Sequence, residues 1–293
     1  MKHYEHVGEL FKAMRHSRKM TLSQVGGAEY TDGALSIFES TGNGMSFSTF
    51  YLLLQRMGYT LREFHSAMKD FELDDFDHLI ADVREYYNNN RKTELKEIAD
   101  RLALNLPVTK KVTYQKLQYW MVKSLLSEID DDITLSDDEK KAIAGHLLFI
   151  EEWSRFELML FGNTIKAFPT NKFIELALEA VGRTDFYKSI PENRVLTVEV
   201  LLNTANELIS QDEYSTARTI ISYVESLLSD KDCYHRLVLM FTKGALEFSD
   251  GNFDIGLKLM IKPIEIFEVL GNTGMADSYR TTYNSALKML DEQ

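Results

Sequence analysis

Apolar residues recur at helical spacing from the start of the chain. After Glu5, the residues Val7, Leu10, Phe11 and Met14 fall on one helix face, and the pattern stops in the basic stretch Arg15-His16-Ser17-Arg18-Lys19. Cations at that end suit the negative pole of a helix. Thr21 with Gln24 has the spacing of a capping box, in which the two side chains satisfy free backbone N–H groups at a helix start. It predicts a short second helix through Val25 and Gly26, closed by Gly27. Thr31 or Asp32 opens a third helix with Leu35 and Phe38 inward, and Ser46 opens a fourth with Phe47, Phe50, Leu53 and Leu54. Thr60-Leu61-Arg62-Glu63 is a second capping box and starts a fifth. Five short helices so closely spaced make one compact bundle.

Longer periodic segments follow, predicted at 74–90, 92–105, 111–129, 137–160, 171–181, 194–210, 213–229, 232–250, 253–270 and 274–291. The acidic stretch 67–75, centred on Lys69-Asp70-Phe71-Glu72-Leu73-Asp74-Asp75, is the predicted linker between a first domain, 1–66, and a second, 76–293. Aligned with itself at an offset of 39, the chain shows a weak repeat: Ile209/Phe248, Ser210/Ser249, Tyr214/Phe253, Ala217/Gly256, Ile220/Leu259 and Ile221/Met260 correspond. The turns Gln211-Asp212-Glu213 and Asp250-Gly251-Asn252 fall in register, each followed by an aromatic and then a small residue that lets two helices approach. Paired helices repeating at roughly 34–47 residues indicate a TPR- or HEAT-like α-solenoid, whose stacked hairpins offer a concave surface to an extended peptide.

Composition agrees with an all-α fold. The 293 residues contain 4 prolines and 15 glycines, too few for the frequent turns of an all-β protein, and 44% apolar content supplies a core. No apolar run reaches the ~20 residues of a membrane span, and Met1-Lys2-His3-Tyr4-Glu5 lacks a signal peptide's layout, so a cytoplasmic protein without a membrane partner is expected. Cys233 is the only cysteine, which excludes an intrachain disulfide and a Cys-rich metal cage. The net charge of −12 opposes nucleic-acid binding until it is divided along the chain. Residues 1–65 carry net +1 and residues 66–293 net −13, and four of the seven histidines (His3, His6, His16, His65) lie in the first part. Two parts with different charge suggest two tasks.

The first 65 residues resemble the helix-turn-helix domain of the lambda-repressor/Cro type. The resemblance is carried by Leu10-Phe11-Lys12-Ala13-Met14-Arg15, by Thr21-Leu22-Ser23-Gln24-Val25-Gly26 and by Leu35-Ser36-Ile37-Phe38-Glu39. It implies that the third helix enters the major groove of double-stranded operator DNA, presenting Thr31, Gly33, Ser36 and Ile37, while phosphates are met by Arg15, Arg18 and Lys19. That helix offers no Arg or Lys for bidentate guanine contacts.

Over nearly its full length the chain resembles the Rgg/GadR/MutR family of Gram-positive regulators, relatives of the peptide-pheromone receptors PlcR and PrgX. Three passages carry this: Gly8-Glu9-Leu10-Phe11 through Arg15 to Arg18; Glu85-Tyr86-Tyr87-Asn88-Asn89-Asn90 with Leu95; and Glu152-Trp153-Ser154-Arg155-Phe156-Glu157 with Leu160-Phe161-Gly162-Asn163. What this implies is a homodimeric transcription regulator of quorum sensing whose repeat domain binds a short linear signalling peptide. For such a groove the useful side chains are Asn163, Asn203 and Asn206, because an amide both donates to and accepts from a peptide unit. Lys231, Cys233, Tyr234 and Arg236 open a neighbouring helix and could take a peptide's carboxylate and apolar side chains.

Other features have plainer readings. Trp120 and Trp153 lie on apolar helices and read as core, and Tyr279 with Tyr283 reads as the face of a terminal repeat that covers a core end or pairs with a second copy. The acidic run Asp130-Asp131-Asp132 to Asp137-Asp138-Glu139 fails as a calcium loop, with Leu135 and Lys141 where Gly and Glu are needed; it reads as a solvated loop ahead of a Ser136/Glu139 capping box. No phosphate-binding loop, zinc-protease helix, nucleophile elbow or dinucleotide fingerprint is present, so neither catalysis nor a cofactor is expected. Two alternatives stay open: a helical-repeat adaptor whose first bundle docks protein, and a DNA-binding regulator that responds to pH through its N-terminal histidines.

Overall fold

The computed structural model of the chain describes residues 4–69, 75–185 and 187–291, and divides them between two compact units, 1–85 and 86–293. Among the described residues there are sixteen α-helices and no strand, an all-α fold as expected. Residues 70–74 of the expected linker lie outside the described residues.

The first unit contains α1 (Val7–Ser17), α2 (Leu22–Gly26), α3 (Asp32–Thr41), α4 (Phe47–Arg56) and α5 (Leu61–Met68). Their starts follow the local signals. Thr21/Gln24 and Thr60/Glu63 form reciprocal capping boxes, and Thr31 and Ser46 cap α3 and α4. Leu10, Phe11, Val25, Leu35, Phe38, Leu53, Leu54 and Phe64 make the core, with Phe11 edge-on to Phe38 at 5.4 Å. Gly8 sets how closely α1 lies on α3, since a Cβ there would stand 2.1 Å from the Phe38 carbonyl oxygen.

The first stretch of α6 (Asp75–Asn88) belongs to that unit; its last residues begin the second. Then come α7 (Lys92–Leu104), α8 (Tyr114–Leu126), α9 (Asp137–Phe149), α10 (Arg155–Gly162), α11 (Thr170–Arg183), α12 (Pro191–Ser210), α13 (Tyr214–Leu227), α14 (Cys233–Ser249), α15 (Phe253–Val269) and α16 (Thr273–Asp291). Helices α8, α10, α12 and α14 pack side by side in one row, and α9, α11 and α13 in a second. Phe241 of α14 stacks on Tyr279 of α16 at 4.2 Å, and Tyr283 packs against the same cluster, so the last helix covers the end of the core. Trp153 is fully buried and Trp120 half-buried.

The repeat at offset 39 is a backbone repeat. Asp212 and Gly251 both take positive φ, 59° and 89°. Around them Asp212 N–H donates to Ile209 and Glu213 N–H to Leu208, just as Gly251 N–H donates to Phe248 and Asn252 N–H to Glu247. This is the left-handed helix stop in which two N–H groups fold back on the last free carbonyls. Asn90 and Gly271 end α6 and α15 with the same bonds. Gly256, the small residue of the second repeat, lets α15 meet α14: a Cβ would stand 2.6 Å from the Phe248 backbone nitrogen. Gly256→Ala is expected to lower the stability of this unit by about 1–3 kcal/mol, measured as the urea midpoint of the full chain.

Two expectations need correction. The segment 137–160 is two helices, α9 and α10, because Ile150 is extended and Trp153 turns inward. The Trp153 indole donates to the Leu147 carbonyl at 3.0 Å, its backbone N–H donates to Arg183 at 2.7 Å, and a Ser154/Glu157 capping box restarts the helix. The acidic loop is only partly solvated: Asp130 is buried and pairs with Lys92 at 2.9 Å. No group of metal-ligating side chains occurs among the described residues.

Candidate functional site

Two surfaces carry the predicted residues, one in each unit. In the first, α3 buries Leu35 and Phe38 and turns Gly33, Ser36 and Ile37 to solvent. Thr31 is spent in part on the cap, its hydroxyl accepting from Ala34 N–H at 3.3 Å, but remains exposed. Among the described residues nothing lies within 4 Å of a Cβ built on Gly33, and Ile37 is 60% exposed. The turn before α3 is braced by Arg56 of α4, which donates to the Val25 carbonyl and to Glu29, each at 2.7 Å. Arg18 and Lys19 are exposed just past α1. Arg18 rests over the Tyr59 ring, 4.4 Å from its centre, and Lys19 takes a left-handed turn at φ 56°.

Arg15 corrects the expectation for that surface. It points inward, its Nε and one terminal nitrogen donating to the Glu39 carboxylate at 2.6 and 2.7 Å, while the other terminal nitrogen donates to the Met20 carbonyl at 2.8 Å. Side-chain exposures of 9% and 3% make this a buried, bidentate ion pair joining α1 to α3. The bond to Glu39 holds the Arg15 guanidinium above its ordinary pKa, against the effect of burial. A guanidinium so engaged has no fork left for a phosphate. Glu39 was the missed partner: it lies 24 residues away, beyond any local pattern.

In the second unit, Asn203 and Asn206 lie three apart on one exposed face of α12, and neither has a hydrogen-bond partner among the described residues. Asn163 differs. It ends α10, half-buried, with its amide nitrogen donating to the Met159 carbonyl at 2.7 Å and facing Met121 sulfur at 3.7 Å. Near the start of α14, Lys231, Cys233 and Tyr234 are exposed. The Cys233 thiol lies 3.8 Å from the Asp230 carbonyl oxygen, and the Tyr234 hydroxyl 3.9 Å from Met275 sulfur. Arg236 is directed to the preceding loop instead, donating to the Ser229 and Leu228 carbonyls at 3.1 and 3.2 Å. Those bonds engage two of its three guanidinium nitrogens, although the side chain stays exposed.

What aligns α12 with α14 is the pair Arg194–Asp232 at 2.7 Å, followed by Glu199 facing His235 at 3.7 Å. Ser229 and Arg194 together hold the Asp232 carboxyl well below the usual carboxylate range. With Arg194 level with Asp232, Asn203 and Asn206 stand about 15 Å farther along α12 at 1.5 Å per residue. The two predicted groups therefore do not share a pocket; an extended peptide of about five residues would span them. Between them stand Glu199 and His235, which no sequence motif marks; the buried His235 Nε2 has no hydrogen-bond partner among the described residues. A separate cavity of about 430 Å³, lined by Tyr214, Phe248, Phe253, Met260, Ala286 and Met289 among others, contains none of the predicted residues.

The family model for the HTH-type transcriptional regulator Rgg, C-terminal domain, matches residues 103–281. Among solved structures, the chain is similar to the Streptococcus dysgalactiae SHP pheromone receptor Rgg2, with 22% identity and a TM-score of 0.80 over 95% of this chain and 99% of that one. It is similar to PrgX in the PrgX/cCF10 complex, with 14% identity and a TM-score of 0.69 over 96% and 99%. It is also similar to ComR from S. thermophilus, solved with DNA and its signalling peptide ComS, with 14% identity and a TM-score of 0.64 over 96% and 99%. At these identities the likeness is one of fold. No described helix is long and apolar enough to cross a membrane. The matched family is one of transcription regulators and not of enzymes, and with its second unit matched across most of its length the chain belongs to the Rgg family of HTH-type transcriptional regulators.

Proposed function

We propose that the chain is a cytoplasmic, homodimeric regulator in which residues 1–66 bind double-stranded operator DNA and residues 76–293 bind a short linear signalling peptide, coupling a quorum signal to transcription. The observation that carries the DNA part is α3, whose outer face is exposed while its inner face is locked into the core. The peptide part rests on Asn203 and Asn206, two exposed amides on one helix face with no internal partner among the described residues. The solved relatives bound to cCF10, and to ComS with DNA, support both parts. For the peptide to regulate, it must bind one dimer arrangement better than another, because equal affinity for both shifts nothing.

The test is selection of duplexes from a randomised pool by the full-length chain, followed by fluorescence anisotropy against a scrambled duplex. Wild type is expected to enrich a two-fold sequence, and Ser36→Glu, on the exposed face of α3, to lose the preference for it while the helices stay folded. No enriched duplex, with or without peptide, would contradict the DNA-binding part. A second reading has one observation in its favour: Phe47 and Tyr51 of α4 stack in the open, 66% and 42% exposed, as a protein-docking surface would. In that case the selection enriches nothing and the first unit is an adaptor.

A further inference from the structure

We infer that Ile37 is a specificity-determining residue that reads thymine through its C5 methyl group, so the operator half-site carries thymine where α3 enters the major groove. This rests on the DNA-binding reading above and deepens it. Helix α3 is Asp-Gly-Ala-Leu-Ser-Ile-Phe-Glu-Ser-Thr from Asp32 to Thr41, with two acids and no cation. One acid, Glu39, is buried against Arg15, and the other, Asp32, sits exposed in the first turn. No guanidinium or ammonium on this helix reaches guanine, and no amide side chain is present to bracket adenine.

What the helix does present is an apolar side chain in the open. Ile37 is 60% exposed, on the face that also carries Gly33 and Ser36, while its neighbours Leu35 and Phe38 are buried. The Ser40 and Thr41 hydroxyls both donate to the Ile37 carbonyl, and α3, which carries it, is joined to α1 by the Arg15–Glu39 pair. Gly33, with nothing within 4 Å of its missing side chain, leaves room one turn earlier for the edge of a base pair. In the major groove only thymine offers an apolar group to such a surface. Burying the isoleucine against that methyl removes both from water.

The experiment uses a duplex enriched by the full-length chain and the same duplex remade with deoxyuridine for thymidine, which removes only the C5 methyls. Wild type is expected to bind the uridine duplex about fourfold more weakly per contacted methyl, or about fifteenfold over two half-sites. Ile37→Ala is expected to bind the thymidine duplex more weakly than wild type and to make little distinction between the two. The variant thus separates a methyl contact from a change in duplex shape. Equal wild-type affinity for the two duplexes, or an Ile37→Ala protein that keeps the full difference, overturns the inference and leaves DNA binding intact. Failure to enrich any duplex overturns the DNA-binding reading itself, and this inference with it.

Discussion

Glu39→Ala is expected to destabilise the first unit by about 3–5 kcal/mol, because it leaves the Arg15 guanidinium buried without its counter-charge. The loss comes from desolvation: with side-chain exposures of 9% and 3%, neither member of the pair can turn to water without opening the contact between α1 and α3. Removing the charge from both sides is the milder change. Arg15→Met combined with Glu39→Leu keeps volume without a buried ion and is expected to recover most of the stability. Hydrogen exchange on the full chain reads the effect locally, as faster exchange in α1 and α3 for Glu39→Ala and near wild-type exchange for the pair. Unchanged exchange in Glu39→Ala would show that the ion pair does not hold these helices together.

The second large effect is expected in the repeat unit. Asn203→Ala and Asn206→Ala should each weaken peptide binding by about 1–3 kcal/mol, the cost of a lost buried hydrogen bond, and the double variant by more than either. Both side chains are exposed without a partner among the described residues, so thermal stability should stay near wild type. Calorimetry with a peptide enriched by wild type from a random displayed library measures this. Unaltered affinity in the double variant would remove this face of α12 from the site. Asn163→Ala serves as the contrast, since its amide fastens the end of α10 and its loss should appear first in stability.

Much of the fold was readable because its signals are local. Capping boxes need only a hydroxyl and an acid or amide three residues apart, so Thr21, Thr60 and Ser136 marked their helices directly. The break between α9 and α10 was hidden because neither glycine nor proline marks it and the turn is held by a bond from Trp153 to Arg183, 30 residues on; the Ser154/Glu157 spacing was the one available clue. Of the left-handed stops in the second unit, those at Asp212 and Gly251 were visible through side-chain periodicity, while Asn90 and Gly271 share only backbone geometry with them. The exposed face of α3 was legible from its amphipathic spacing. The fates of Arg15, Asn163 and Arg236 were not: Arg15 is taken by a carboxylate 24 residues away, and Asn163 and Arg236 by nearby backbone carbonyls, which no residue pattern marks.

In the proposed complex of the first unit with DNA, Arg18 and Lys19 neutralise phosphates. The most direct test is the salt dependence of affinity for an enriched duplex, compared between wild type and Arg18→Gln/Lys19→Asn. Each phosphate contact contributes about 0.9 to the slope of log affinity against log salt, so two cations in each of two protomers account for a slope of about 3.6. Wild type is expected to show a steep negative slope, and the double variant a shallower one by roughly that amount with α1 and α3 still folded. Identical slopes, or duplex affinity that does not fall with salt, would contradict the account.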